Sequence, residues 1–120
     1  MLKKILIVED DPDILEILSF IMHAEGYDVI SSEDGSACQH LLEILPDLIL
    51  MDIRLKEPGQ NGDLICLGLK SHSDTCRFPV ILVSAELNLP ELSRACGADG
   101  YIRKPFDLNI LIEDVQKMIG

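Results

Sequence analysis

The sequence predicts an α/β fold in which a parallel β-sheet carries helices on both faces. One observation is the apolar run Leu48–Met51, whose lack of polar alternation is typical of a strand buried on both faces. Another is that strand and helix patterns alternate five times, the order that produces a parallel sheet. A third is that carboxylates follow two of the strands, at Asp52 and at Glu9 and Asp10. Such folds carry their chemistry at the carboxyl ends of the strands, so these are candidate site residues.

Composition and length fit one domain that spans residues 1–120. Of the 120 residues, 48% are hydrophobic and 4% aromatic, which predicts an aliphatic core. The net charge of −11 argues against direct binding of this domain to nucleic acid or to an anionic membrane. The sequence has neither an apolar run of about 20 residues, the length that spans a bilayer, nor a signal-peptide core. We therefore expect a cytoplasmic protein.

The cysteines and histidines show no spacing typical of a metal or redox site. There is no Cys-x-x-Cys pair and no zinc-finger spacing. Cys66 and Cys96 have small or apolar neighbours and are predicted to fill the core.

Each predicted strand is a short apolar run bounded by polar or turn-forming residues. In chain order the runs are Ile5–Val8, Tyr27–Ile30, Leu48–Met51, Val80–Val83 and Tyr101–Arg103.

Each predicted helix has apolar residues at helical spacing or a recognisable cap. The first begins at Pro12, behind an Asp cap, and stops near Gly26. The other four extend from Ser36 to just before Pro46, from Gly62 to a frayed end at Ser71, from Pro90 to Cys96, and from Leu108 to Ile119.

Five strand–helix units with right-handed crossovers favour the strand order 2-1-3-4-5, the flavodoxin-like variant of the doubly wound sheet. In that order the first and third strands are neighbours, about 5 Å apart. The carboxylates that follow them, Glu9, Asp10 and Asp52, should therefore share one crevice.

The chemistry of this crevice follows from its charges. Three crowded carboxylates resist ionisation unless a cation lies between them, and a small set of oxygen ligands favours Mg²⁺. Lys104 leaves the fifth strand with one positive charge, and Ser84 leaves the fourth with a hydroxyl. A carboxylate such as Asp52 in these surroundings suits acceptance of a phosphoryl group, whose charge must be neutralised from several sides.

Four segments extend this pattern: Ile5–Pro12 (ILIVEDDP), Leu48–Asp52 (LILMD), Val80–Ala85 (VILVSA) and Gly97–Phe106 (GADGYIRKPF). Each segment alone is a weak signal, but in this order and at strand ends they are specific together. Over essentially its full length, the chain resembles the receiver domain of two-component response regulators, including the single-domain chemotaxis type.

The resemblance implies a signalling domain rather than an enzyme. Asp52 would be the phosphoacceptor, taking its phosphoryl group from a phosphohistidine on a sensor histidine kinase or a histidine phosphotransfer protein. Lys104 would pair with the phosphoryl oxygens and Ser84 would hydrogen-bond to one of them. Tyr101 would rotate between outward and inward rotamers and so report the change to an output domain or effector protein.

The resemblance also implies a metal site and a backbone feature. Mg²⁺ would be held by Glu9, Asp10, Asp52 and the backbone carbonyl of Arg54. The peptide bond before Pro105 would be cis, as is common in this family.

Two loop lengths depart from the family pattern. Gly62 lies two positions further from Asp52 than that pattern places its glycine, which predicts a longer loop carrying Lys56 and Glu57. The segment from Ser84 to Gly97 is about two residues shorter than usual, so the fourth helix or its preceding loop should be short. Dimerisation through that helix is therefore in doubt, and so is the partner surface.

Arg54 and Glu86 form a candidate gate. They lie two residues after Asp52 and two after Ser84, on loops that leave neighbouring strands. Opposite charges so placed are predicted to meet across the mouth of the site and to obstruct the water that would hydrolyse the acyl phosphate.

Three other protein classes fit parts of the pattern. A degenerate receiver would bind partners without accepting phosphate, although Asp10, Asp52 and Lys104 are all present. A flavodoxin-like cofactor protein needs a hydroxyl- or glycine-rich phosphate loop, where Glu9–Asp11 would repel a flavin phosphate. A phosphatase with an aspartyl nucleophile usually has a second Asp where this chain has Arg54. The degenerate receiver stays open as the alternative, and the chain is either a stand-alone receiver or part of a larger regulator or hybrid kinase.

Overall fold

A computed structural model describes residues 2–55 and 61–120 of the chain. Its strands form one parallel sheet in the order β2-β1-β3-β4-β5, which confirms the predicted topology. The strands are β1 (Lys4–Val8), β2 (Asp28–Ser32), β3 (Leu48–Met51), β4 (Val80–Ser84) and β5 (Gly100–Arg103).

Helices connect successive strands and cover both faces of the sheet. They are α1 (Pro12–Ala24), a 3₁₀ segment (Gly35–His40) that leads into α2 (Leu41–Ile44), α3 (Gly62–Lys70), α4 (Leu89–Cys96) and α5 (Leu108–Ile119). No helix among residues 2–55 and 61–120 has the length and apolarity needed to span a membrane.

The second helix differs from the prediction of one continuous helix. Its first part is a 3₁₀ helix, and the α-helical part ends at Ile44 because Leu45 adopts a left-handed conformation with φ 52°. The next residue is Pro46, and a residue before proline is disfavoured in the α region, so the helix ends early.

The second strand begins and ends later than predicted. Ser31 and Ser32 pair with Ile7 and Val8 in β1, so the strand continues past its apolar run. Tyr27 precedes the strand and is buried in the core. β2 is an edge strand and only partly buried, which explains why its polar residues gave no strand signal.

Two hydrophobic clusters lie on opposite faces of the sheet. One includes residues from α2, α3 and α4, and the other includes residues from α1 and α5. Cys66 and Cys96 belong to the first cluster, as predicted. The central strands supply alternate residues to the two clusters, since successive side chains of a strand point to opposite faces. Burial on both faces explains the unbroken apolar runs of β1, β3 and β4.

Backbone hydrogen bonds extend the sheet beyond its strands by one residue. The Asp52 N–H donates to the Val8 carbonyl at 2.9 Å, and the Lys104 N–H donates to the Ser84 carbonyl at 2.9 Å. These bonds hold Asp52 and Lys104, which follow β3 and β5, beside the ends of β1 and β4.

Candidate functional site

A cavity of about 420 Å³ opens at these strand ends. Seven residues that the sequence analysis singled out line it: Glu9, Asp10, Asp52, Arg54, Ser84, Glu86 and Lys104. The eighth, Tyr101, lies on β5 outside this lining.

The carboxylates of the cavity form a tight cluster. One oxygen from each of Glu9, Asp10 and Asp52 lies within 4.8 Å of the other two. Glu9 is 1% exposed and Asp52 is 6% exposed, while Asp10 is half-buried. Negative charges that are this close together and this poorly solvated repel one another strongly, which favours a bound cation or a proton.

Among the described residues, Lys104 forms the ion pairs with this cluster. Its Nζ lies 2.7 Å from Glu9 Oε1 and 3.5 Å from Asp52 Oδ1. One ammonium facing three carboxylates leaves an excess of negative charge. The Lys104–Pro105 peptide bond is cis, as the resemblance implied.

The surroundings of Asp52 change its acidity. Burial raises the pKa of the Asp52 carboxyl to about 7, and the hydrogen bond and negative charge of Glu9 act in the same direction. Lys104 lowers this pKa and the Asp10 charge raises it slightly, so the lysine does not offset the burial. Without a further cation, Asp52 therefore holds a proton over much of the range below neutral pH.

Glu9 has two carboxylate oxygens in different surroundings. Its Oε2 accepts a hydrogen bond from the Asp11 N–H at 3.2 Å. Its Oε1 is buried and, among the described residues, has no hydrogen-bond partner, because the close Lys104 contact lacks hydrogen-bond geometry. Lys104 thus supplies charge to this oxygen without a directed hydrogen bond, and the same ammonium is shared with the Asp52 carboxylate. The donors are all oxygens, so the residues fit a hard divalent cation such as Mg²⁺.

Gly62 fixes how closely α3 approaches the strand end that carries Asp52. Its N–H donates to the Ile53 carbonyl at 2.7 Å. A Cβ at this position would lie 1.9 Å from the Asp52 carbonyl oxygen and 2.8 Å from Met51 Cγ. The change in spacing has therefore not moved this glycine away from the Asp52 backbone. Residues 56–60, including the loop residues Lys56 and Glu57, lie outside the described part of the chain.

The two predicted switch residues differ in exposure. Ser84 is buried, and its Oγ accepts a hydrogen bond from the Glu86 N–H at 3.1 Å. Tyr101 is 45% exposed.

Arg54 and Glu86 contact each other at the mouth of the cavity. Arg54 Nε donates to Glu86 Oε1, and the Arg54 and Glu86 side chains are 74% and 23% exposed. This hydrogen bond lowers the pKa of Glu86 and raises that of Arg54.

Arg103 was not singled out from the sequence. Its Nη1 donates to the Glu86 carbonyl at 2.9 Å. The available signal was its position beside Lys104 at the end of a strand, but the direction of a long exposed side chain does not follow from a local pattern.

Comparison with known proteins agrees with this geometry. The chain matches the family model of the response regulator receiver domain over residues 5–116. It is 35% identical over 119 residues to the DNA-binding response regulator MtrA of Mycolicibacterium smegmatis, which covers 97% of this chain and 50% of that protein. The chain thus spans about half the length of the curated relatives it matches.

Solved structures show the same likeness in three dimensions. A putative response regulator from Chloroflexus aurantiacus superposes with a TM-score of 0.91 at 27% identity, covering 99% of this chain and 98% of that one. The BeF₃-activated N-terminal receiver domain of Klebsiella pneumoniae RstA gives 0.86 at 27% identity and covers 98% of each chain. A match that runs from the first strand into the last helix, on the same fold, shows that this chain belongs to the family of response regulator receiver domains.

Proposed function

We propose that this domain accepts a phosphoryl group on Asp52 from a phosphohistidine of a partner protein and passes the signal on by a change of conformation. The observation that carries the proposal is the position of Asp52. Its buried carboxylate ends the central strand and shares one cavity with Lys104 and two further carboxylates.

The transfer needs an ionised Asp52 and a neutralised phosphoryl group. One Asp52 oxygen would form a bond to phosphorus as the phosphorus–nitrogen bond breaks, and the histidine nitrogen would keep the electron pair. Lys104 Nζ lies 3.5 Å from Asp52 Oδ1 and would pair with the phosphoryl oxygens as their charge shifts.

The acidic cluster supports a Mg²⁺ requirement. Glu9, Asp10, Asp52 and the backbone carbonyl of Arg54 are the groups that would hold the ion. When bound, Mg²⁺ supplies positive charge that favours ionised Asp52 and neutralises phosphoryl oxygens. The close grouping of three carboxylates around the Lys104 ammonium and the raised pKa of Asp52 support this assignment.

Ser84 and Tyr101 would convert the phosphorylation into a conformational change. The Ser84 hydroxyl would donate to a phosphoryl oxygen, and Tyr101 would move from its exposed position inward. A hydrogen bond to a charged group is worth about 1.5–3 kcal/mol, enough to shift a two-state equilibrium about tenfold or more.

The Arg54–Glu86 pair would set how long the phosphoryl group persists. The pair lies across the mouth of the cavity. Hydrolysis requires a water in line with the bond between Asp52 and phosphorus, and the two side chains would obstruct its approach.

The partners follow from this chemistry. The donor would be a sensor histidine kinase or a histidine phosphotransfer protein, and an output domain or effector protein would receive the signal. The relative MtrA is a DNA-binding response regulator. With a net charge of −11, this domain itself is not expected to bind DNA, so any such output would lie in another domain. The domain would act as a signalling module that promotes its own phosphorylation and dephosphorylation, and a cytoplasmic location stays a prediction.

Labelling with a phosphoryl donor tests the proposal. The chain is incubated with Mg²⁺ and radiolabelled acetyl phosphate, and the label is then challenged with hydroxylamine, which cleaves acyl phosphates. Wild type and Asp28→Asn, an exposed control at the opposite edge of the sheet, should take the label, and Asp52→Asn should not. Wild-type labelling of Asp52→Asn would refute the assignment of the phosphoacceptor. A wild-type chain that takes no label from acetyl phosphate or from a phosphorylated kinase would favour the degenerate receiver.

A further inference from the structure

The loop between β4 and α4 is held at Glu86 from three sides. The Glu86 N–H donates to Ser84 Oγ at 3.1 Å, and the Glu86 carboxylate accepts a hydrogen bond from Arg54. The Glu86 carbonyl accepts a hydrogen bond from Arg103 Nη1 at 2.9 Å. The residue that engages the Ser84 hydroxyl is thus itself fixed by two arginines.

The sheet explains why Arg103 reaches this loop. Arg103 is the register partner of Ser84 in the β4–β5 pair, so its side chain starts beside the strand end from which the loop departs. The next residue, Lys104, donates its N–H to the Ser84 carbonyl at 2.9 Å. The end of β5 therefore contacts both the backbone of Ser84 and the loop residue that binds its hydroxyl.

The two arginines differ in what they hold. Arg54 binds the carboxylate of the Glu86 side chain, and an ion pair with so exposed an arginine stabilises little. Arg103 binds the main chain of Glu86 directly. A guanidinium presents its donors in a rigid, planar arrangement, which makes such a contact more restrictive than one from a flexible ammonium.

We infer that Arg103 is a positioning residue for Ser84. It holds the β4–α4 loop where the Glu86 N–H donates to Ser84 Oγ, and it thereby opposes any displacement of that oxygen when Ser84 donates its own proton to a ligand on Asp52. The inference rests on the proposed function, because it assigns Arg103 to the conformational step of the same site. Removing the Arg103 contact should make every ligand that recruits Ser84 bind more tightly.

The test compares Arg103→Met with wild type in the 120-residue chain. The first readout is hydrogen exchange of the Glu86 amide in the metal-free protein, measured by NMR. The second is the affinity for beryllofluoride, a phosphoryl mimic, in the presence of Mg²⁺. Loss of one hydrogen bond predicts exchange that is faster and beryllofluoride affinity that is higher, each by about twofold to tenfold.

Arg77→Met is a matched control. Arg77 is also exposed, and its Nη1 donates to a loop carbonyl, that of Asp74, at 3.1 Å. Arg77 precedes β4, at the opposite end of the strand from Ser84. The Arg77→Met substitution should therefore leave the Glu86 amide exchange and the beryllofluoride affinity at wild-type values. Arg103→Lys keeps the charge without the guanidinium and should behave like Arg103→Met.

The outcomes separate this inference from the proposed function. Arg103→Met values equal to those of Arg77→Met, or a lower beryllofluoride affinity, would overturn the role of Arg103. Wild-type behaviour of Arg103→Lys would assign the effect to charge and overturn the hydrogen-bond argument. If wild type itself does not bind beryllofluoride, the proposed function fails. In that case the hydrogen-exchange rate of the Glu86 amide still tests the loop contact, and an unchanged rate in Arg103→Met would overturn it.

Discussion

Lys104 Nζ lies closer to Glu9 Oε1, at 2.7 Å, than to Asp52 Oδ1, at 3.5 Å. The lysine therefore neutralises mainly the carboxylate that is not the proposed nucleophile. Asp52 keeps a pKa raised to about 7, although the Lys104 charge lowers it. In the metal-free protein, the proposed phosphoacceptor thus titrates near neutral pH.

The first prediction is that the contribution of Asp52 to the stability of the metal-free protein falls as the pH rises. The pKa of Asp52 is higher in the folded than in the unfolded chain, so the folded state binds the proton more tightly between about pH 4 and about pH 7. Asp52→Asn removes this dependence. Its free energy of unfolding should exceed that of wild type by on the order of 4 kcal/mol near pH 8 and approach it near pH 4.

Urea unfolding in the presence of a chelator measures this difference. Asp28→Asn serves as a control, because it removes an exposed carboxylate at the opposite end of the strands from the cavity. A gap between Asp52→Asn and wild type that is equal at both pH values would mean that Asp52 is not the titrating group.

The second prediction concerns the cation. Asp10→Asn should lower the Mg²⁺ affinity at neutral pH by about tenfold or more, since a site with few protein ligands loses a full charge. Asp13→Asn removes an equal charge from the exposed first turn of α1 and should have a much smaller effect. Calorimetric titration compares the Mg²⁺ affinities of the two variants. Equal affinities would contradict the assignment of the metal site to the acidic cluster.

The third prediction concerns Gly62. In Gly62→Ala, the added methyl group would meet the Asp52 carbonyl oxygen at 1.9 Å, so the backbone must shift. We expect a loss of about 1–3 kcal/mol in the free energy of unfolding, the usual cost of overpacking. Gly68→Ala, on the same helix, adds its methyl group in open space and should stabilise by about 0.5–1 kcal/mol.

Denaturant unfolding of the two glycine variants gives the answer in one experiment. If Gly62→Ala and Gly68→Ala raised the free energy of unfolding equally, α3 would not be in close contact with the Asp52 backbone. Phosphorylation of Gly62→Ala should also be impaired, because the strand end that carries Asp52 is displaced.

The fourth prediction concerns persistence of the signal. Arg54→Ala, and more so Arg54→Ala combined with Glu86→Ala, should lose the phosphoryl group faster than wild type under saturating Mg²⁺. Removing an obstruction of about 1 kcal/mol speeds hydrolysis about fivefold. Arg94→Ala breaks an exposed pair with Glu91 on α4 and should decay like wild type. The measurement is the rate at which each labelled protein loses its phosphoryl group. Wild-type rates in both Arg54 variants would contradict the predicted gate.

The sequence predicted the sheet and the members of the site because both depend on strong local signals. The run Leu48–Met51 is apolar because β3 is buried on both faces, and the polar residue that follows must lie at the sheet edge. The strand order then brings Glu9 and Asp52 together, since β1 and β3 are neighbours. For these residues, burial and topology leave little freedom.

The features that were missed depend on weaker or longer-range signals. Ser31 and Ser32 belong to β2 through hydrogen bonds to β1, which no apolar pattern reports. The left-handed turn at Leu45 arises from competition between helix propensity and Pro46. The contact of Arg103 with Glu86 depends on the path of a loop and the direction of a flexible side chain. Such contacts require the three-dimensional arrangement.

The alternation of side chains along β4 has a consequence for the direction of signalling. Val80 and Leu82 belong to the cluster beneath α2, α3 and α4, whereas Ile81 and Val83 belong to the cluster beneath α1 and α5. Continued alternation places Ser84 on the α4 side of the sheet. The sheet therefore separates the two clusters. Under the proposed function, a rearrangement that begins at Ser84 would first affect the cluster that includes α2, α3 and α4.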